Sequence, residues 1–316
     1  MAARAWITGA AGFVGSHLAA FLGEQGLAVH GTDVPGVPAP ARWPGAWHPG
    51  DVTDADTVSE IVRRVDPTHV FHLAALIRSD SLRDLLAVNV VGTQRLLEAL
   101  AGANKSIRVL VAGSAAEYGY AGPDELPIRE SASLRPVNLY GVSKAAQSLL
   151  AAQYARRGPL HIVRVRTFNL IGPGEPDTMV CSAFARQVAE IERDPGRNPL
   201  RTGNVASSRD FVDIRDAVRA YWLALDRGQS GEVYNVCSGT GVTIESILQQ
   251  LLGMTGAAVT VREDAGRLTP WDVPVHYGDP AKLQAATQWS PERPLAASLA
   301  DLLADWRRRI VRADRP

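Results

Sequence analysis

Cysteine is almost absent from this chain of 316 residues. The two that occur, Cys181 and Cys237, cannot build a disulfide framework or a cysteine-rich zinc site. No apolar run approaches the ~20 residues that a membrane-spanning helix needs. The start of the chain has no basic stretch followed by an apolar core, so a secretory leader is not expected and a cytoplasmic location is. Net charge is missing too: 33 basic and 33 acidic residues cancel, which argues against a nucleic-acid-binding surface spread over the whole protein. The seven histidines form no His-x-x-x-His pair, so no metal is expected. Lysine is scarce, with only Lys105, Lys144 and Lys282 among the 33 basic residues. What is plentiful is apolar content, 46% of the chain, enough to bury a core. At ~150 residues per domain the length suggests two units, or one large α/β unit with an appended lobe.

Short apolar runs alternate with helical patterns through the first half. Strands are expected at 5–8, 27–32, 70–74, 108–113 and 161–168, and helices at 13–25, 82–100 and 140–155. That alternation predicts an α/β fold with a doubly wound parallel sheet. The turn-rich run Ile171-Gly172-Pro173-Gly174-Glu175-Pro176 breaks the pattern. Beyond it the spacing predicts helices at 180–192, 213–225, 244–252 and 295–310, with strands at 233–236 and 258–262. The loop from Pro35 to Pro49, rich in Pro, Gly and Trp, carries no element assignment.

The first strand runs into Thr8-Gly9-Ala10-Ala11-Gly12-Phe13-Val14-Gly15, a Gly-x-x-Gly-x-x-Gly turn that opens the first helix. Gly9 allows the tight turn, Gly12 lets a pyrophosphate approach the backbone, and Gly15 allows close packing. The helix end offers free N–H groups and a positive dipole to phosphates. Asp33 ends the second strand, 18 residues after Gly15. A carboxylate there bonds the adenosine ribose hydroxyls of a dinucleotide and repels a 2′-phosphate. NAD(H) is therefore favoured, with NADP(H) as the alternative.

Tyr140 and Lys144 are four apart in a helical stretch and share a face. A free phenol has pKa ~10; an ammonium beside it lowers that value, and reaching ~7 takes about 4 kcal/mol. The pair also uses one of the three lysines. Ser114 ends the strand 108–113, and strand C-terminal ends line the ligand crevice of such sheets. Its hydroxyl can hold a substrate oxygen while the tyrosine exchanges a proton. His72, inside the strand 70–74, reads as packing or cofactor-lining.

Together these segments resemble the extended short-chain dehydrogenase/reductase family acting on nucleotide sugars. The resemblance rests on the glycine motif, Asp33, Asp51-Val52, His72-Leu73-Ala74-Ala75, Asn89, Ser114, Tyr140/Lys144 and Ser208-Arg209-Asp210-Phe211. It implies a Rossmann dinucleotide-binding domain from residues 1–170 plus 212–236, and a smaller mixed α/β nucleotide-sugar lobe from 171–211 plus 237–316. It implies that Phe13 and Val14 join the glycines at the cofactor, that Asp51 and Val52 contact adenine, and that Leu73, Ala74 and Ala75 run beside the cofactor. Asn89 would brace the catalytic region, Asn169 would touch the substrate pyrophosphate, and Arg209 would hold a phosphate. The stretches Leu134-Arg135-Pro136, 166–174, Ala220-Tyr221-Trp222 and 234–239 are most similar to GDP-4-dehydro-6-deoxy-D-mannose reductases. The family pattern places an arginine three residues before Asp272; Thr269 stands there, and Arg267 is the expected substitute. A homodimer and a nucleotide-diphosphate sugar partner are implied as well.

The expected activity is NAD(P)H-dependent reduction of a 4-keto-6-deoxy nucleotide sugar, with Tyr140 as proton donor. A 4-epimerase uses the same three side chains and retains its NAD. A 4,6-dehydratase needs acid/base carboxyl groups just after Ser114, where Ala115 and Ala116 stand; Glu117, if the segment stays extended, faces away. A non-catalytic dinucleotide sensor would have no use for Ser114, Tyr140 and Lys144.

Overall fold

The computed structural model describes residues 3–103, 105–267 and 273–313. Seven strands form one parallel sheet: β1 (Arg4–Thr8), β2 (Ala28–Thr32), β3 (Ala46–Trp47), β4 (His69–His72), β5 (Arg108–Ser114), β6 (His161–Thr167) and β11 (Val233–Val236). Four further strands that precede β11 are short: β7 (Asn169–Ile171), β8 (Leu200–Thr202), β9 (Ser208–Arg209) and β10 (Phe211–Asp213). The order in the large sheet is β11-β6-β5-β4-β1-β2-β3. Chain order reverses between β1 and β4, and such a switch point opens a crevice at the strands' C-terminal ends.

Alternation along the strands divides the core between the two sheet faces. Ala5 and Ile7, Phe71 and Leu110 pack on one side, with α1 (Phe13–Glu24) and α7 (Ile214–Arg227). Trp6, Val70, Val109 and Val111 pack on the other, with α2 (Ala55–Val65), α4 (Gly92–Ala101) and α5 (Leu139–Arg157). A third cluster joins α6 (Val180–Arg193), α8 (Ile244–Leu252) and α10 (Leu295–Ala313) around Phe184, Leu248 and Leu302. Beside it lie small two- and three-stranded sheets of mixed direction, with β12 (Val242–Thr243) antiparallel to β9, and β14 (Val275–His276) parallel to it.

Several elements differ from the sequence expectation. Strand β4 ends at His72, so Leu73–Ala75 continue as loop. The helix expected over 82–100 is interrupted: α3 (Leu82–Leu86) passes into a π-helical turn, Ala87–Val91, before α4. Helix α2, not anticipated, starts at Asp54, whose carboxylate accepts from the Asp56 and Thr57 N–H groups. The strand expected at 258–262 is β13 (Val261–Glu263). A short helix, α9 (Ala281–Thr287), was not anticipated either. The loop 35–49 gains the edge strand β3, and the edge-to-face Trp43 and Trp47 cover Gly31, where a Cβ would sit 2.3 Å from the Trp43 ring.

Both cysteines are buried and free. Lys105 pairs with Asp66 and Lys282 with Glu232, which leaves Lys144 as the lysine in the crevice. No helix among the described residues is long and apolar enough to cross a membrane, and no group of three or more His, Cys, Asp or Glu among them could hold a metal ion.

Candidate active site

A cavity of about 780 Å³ occupies the crevice above β1 and β4. Its walls include Gly9, Gly12, Phe13, Val14, Gly15, Asp33, Asp51, Val52, Leu73, Ala74, Ala75, Ser114, Tyr140 and Lys144. At the turn after β1, Gly9 has φ +67, and a Cβ on it would lie 2.8 Å from the Ala74 nitrogen. Only glycine lets the loops after β1 and β4 come so close. A Cβ on Gly15 would meet the Gly9 and Ala10 carbonyl oxygens at 2.6 Å, so its close packing is against the loop itself. The N-cap of α1 is Gly12, which brings no side-chain cap, so the helix end is left to bind an anion. The Asp33 carboxylate accepts from Ala11 N–H and Val34 N–H, each at 2.9 Å, tying it to the glycine loop. Charged side chains on the cavity wall are Asp33, Asp51, Lys144 and Glu175. These residues suit a dinucleotide: an open helix end for its diphosphate, a carboxylate for its ribose, and an apolar wall for its rings.

Ser114, Tyr140 and Lys144 meet where β5 approaches α5. Asn138 caps α5 by accepting from Gly141 N–H at 2.7 Å. A Cβ on Gly141 would sit 2.5 Å from the Ala116 carbonyl oxygen, so glycine permits the approach that brings Tyr140 beside Ser114. Burial pushes the Tyr140 phenol up to about 12, and a hydrogen bond with the Ser114 hydroxyl pulls in the other direction. The Lys144 ammonium donates to the Ala112 carbonyl, and burial lowers it to about 8. The expectation that Lys144 brings the Tyr140 phenol down is thus corrected: burial, with the Glu117 charge, pushes it up, and the phenol stays protonated across the neutral range.

Asn89 does not line the cavity. The π-helical turn places it at full burial, where its amide donates to the Leu76 carbonyl and the Ser143 hydroxyl, both at 2.9 Å. Ser143 in turn donates to the Tyr140 carbonyl at 2.8 Å. Asn89 therefore braces the loop after β4 against α5, as a π-bulge at a functional site commonly does. His72 is also behind the wall, held between the Thr8 and Thr93 hydroxyls at 2.8 Å each.

The position of Glu117 has a different cause from the one expected. Residues 115–117 form a 3₁₀ turn rather than extended chain. Glu117 is fully buried, accepting from Ser114 N–H at 2.9 Å and from the Arg166 guanidinium at 2.7 Å. It is committed to a buried ion pair, and Ala115 and Ala116 carry no proton donor, so no carboxyl group there serves an elimination.

A second cavity of about 330 Å³ adjoins the first and shares Ser114, Thr167, Phe168 and Asn169 with it. Asn138, Arg209 and His276 complete its polar wall among the described residues. Arg267 is not brought there: it lines neither cavity and pairs with Asp264 at 3.5 Å. Thr269 and Asp272 lie outside the described residues. Sequence reasoning missed Thr167 and Tyr221, whose hydroxyls are 2.7 Å apart on the first cavity's wall. It also missed Glu175, buried on the same wall, and His276. Thr167 and Tyr221 lie in stretches that carry the resemblance, the one signal that could have found them; only the fold brings the four to these walls.

A parallel sheet with its crevice at the switch point, a glycine loop and a Ser/Tyr/Lys cluster together define a dinucleotide-dependent oxidoreductase site. The chain belongs to the NAD dependent epimerase/dehydratase family, whose model matches residues 5–237. It is 33% identical over 314 residues to the GDP-6-deoxy-D-mannose reductase of Pseudomonas aeruginosa, covering 98% of this chain and 99% of that one. Its fold matches the structure of RMD from Pseudomonas aeruginosa complexed with NADPH, with TM-score 0.85, 32% identity and coverage of 97% and 99%. It also matches the UDP-glucose 4-epimerase of Thermus thermophilus in complex with NAD, with TM-score 0.84, 28% identity and coverage of 96% and 99%. The chain is an NAD(P)-dependent enzyme of the short-chain dehydrogenase/reductase type.

Proposed function

We propose that this enzyme reduces the 4-keto group of a 4-keto-6-deoxy nucleotide sugar, of the GDP-4-keto-6-deoxymannose type, to the alcohol. The observation that carries the reading is the convergence of Ser114, which lines both cavities, with Tyr140 and Lys144 on the wall of the first, with alanines at 115 and 116. A reduced dinucleotide held by the glycine loop and Asp33 would supply the hydride for the keto carbon. Ser114 orients the keto oxygen by hydrogen bonding, and Tyr140 delivers its proton as negative charge builds there. A phenol that stays protonated at neutral pH is the form a reduction needs. Lys144, on the same cavity wall as Tyr140, would hold the dinucleotide's nicotinamide ribose and offset the phenolate left behind. Asn169 and Arg209 face the substrate diphosphate. The two units are residues 1–170 with 212–236 for the cofactor and 171–211 with 237–316 for the nucleotide sugar.

The reading includes a cytoplasmic homodimer, in which α5 meets its copy through the exposed Leu139, Val142 and Leu149. The test of the activity supplies the 4-keto-6-deoxy sugar nucleotide with NADH. Stoichiometric loss of NADH is expected, and no keto product from the parent nucleotide hexose with NAD. Keto product from the parent hexose would sink the reading. Interconversion of two nucleotide sugars without added NADH, on tightly held NAD, would replace it with 4-epimerisation.

A further inference from the structure

His276 stands out in the second cavity as a buried polar side chain whose hydrogen-bonding capacity the fold does not use. It is 8% exposed, and its Nε2 has no hydrogen-bond partner among the described residues. Leaving such a nitrogen unmatched inside a protein is costly, and a cavity wall is where a ligand can match it. Its backbone is fixed: the His276 carbonyl accepts from Asp210 N–H at 3.1 Å, and β14 runs parallel to β9 with His276 in register with Arg209. The ring is fixed as well, its centroid 5.3 Å from that of Phe168, which lines both cavities.

We propose that His276 is a substrate-binding residue that donates a hydrogen bond to the diphosphate of the nucleotide sugar, beside Arg209. The inference rests on the nucleotide-sugar reading and adds to it a contact that no sequence motif marks. The polar groups of this wall point to an anion. Among the described residues that line it, Arg209 is the one charged residue and none carries a carboxylate. The nearby Asp210 carboxylate is occupied by the Ser238, Gly239 and Gly278 N–H groups. Phosphate oxygens only accept, so a guanidinium and an imidazole N–H both suit them. The imidazole acts in its neutral form: burial, aided by the Arg209 charge, lowers it to about 4. Arg209 is the titratable or charged group on the packed strand that faces it, and no other lines this cavity among the described residues.

The test uses the full chain and the probes GDP, UDP, guanosine and uridine, with binding measured by calorimetry. His276→Ala is expected to weaken the nucleoside diphosphate that the wild type prefers by about tenfold, the scale of one lost hydrogen bond to a charged group. Binding of the matching nucleoside and of NADH should stay unchanged, and NADH binding also certifies folding. His276→Gln, which keeps an N–H donor, should restore part of the loss. In turnover, KM for the sugar nucleotide should rise with kcat within twofold, and wild-type KM should be flat from pH 5.5 to 8, as a neutral imidazole requires (about 4 lies below that window). Unchanged diphosphate affinity in both variants would overturn the inference. So would an equal loss for the nucleoside, which would place the contact on the base. A KM that falls below pH 6.5 in the wild type but not in His276→Ala would show an imidazolium contact and overturn it too. Diphosphate binding needs no turnover. A His276-dependent diphosphate site in a protein that reduces no keto sugar would therefore sink the reductase reading alone.

Discussion

Tyr140 works as a phenol in the reduction proposed here, so the decisive substitution removes one oxygen. Tyr140→Phe should lower kcat at least ~100-fold, the scale of a lost general acid, while the NADH dissociation constant stays within a few-fold. Near-wild-type turnover would remove the mechanism. At the other end of the same cavity, Asp33 and Asp51 put two carboxylates on the wall, and no arginine lines it among the described residues. A 2′-phosphate would meet like charge there without a counterion. The expected result is a higher kcat/KM for NADH than for NADPH with one keto sugar. The opposite preference would take the ribose role away from Asp33.

At the scale of elements, the segment from β5 into α5 holds the chemistry in place through a pair that never touches substrate in this reading. Glu117 receives the Ser114 backbone N–H and the Arg166 guanidinium, and both side chains are almost fully buried, at 0% and 6% exposure. Removing one partner of such a pair leaves the other charge uncompensated, which costs about 3–5 kcal/mol. Glu117→Ala should therefore lower unfolding free energy by about that amount in chemical denaturation. A loss under ~1 kcal/mol would show that Arg166 finds another partner. The π-helical turn is a comparable device: it turns Asn89 inward to join the loop after β4 to Ser143.

Two expectations concern the whole molecule. His72 is buried between β1 and α4 and lowered to about 3, from 6.5 when exposed. The unfolded chain takes up this proton first as pH falls, so stability is full above 6.5 and drains between 6.5 and 3. The slope contributed is up to about 1.4 kcal/mol per pH unit. Urea unfolding at pH 7 and pH 5 should show the drop, and His72→Gln should reduce it; an equal drop in that variant would exonerate His72. The second expectation follows from the homodimer proposed above. Leu149 is 64% exposed on α5, in line with Val142 at helical spacing. Leu149→Glu should raise the dimer dissociation constant at least ~10-fold in sedimentation velocity, by placing two like charges across a two-fold axis. A variant that sediments as the wild type does would move the interface elsewhere.

The parallel sheet and the cofactor cavity were legible in the chain because both rest on local rules. Strand and helix periodicity, a glycine turn of fixed spacing, and Tyr140 and Lys144 one helical turn apart are short-range facts. Cavity-lining positions such as Gly9, Asp33, Ser114 and Lys144 follow from them. Tertiary structure decided what depends on contacts across long stretches of chain. It fixed the protonation of Tyr140, whose phenol burial pushes up, and it fixed Glu117, whose partner Arg166 lies 49 residues away. It also placed Arg209 and His276 side by side through a two-residue parallel pairing that no periodicity announces. Arg267 shows the converse: it is the arginine nearest the position that the family pattern marks, yet its side chain pairs with Asp264 and lines neither cavity.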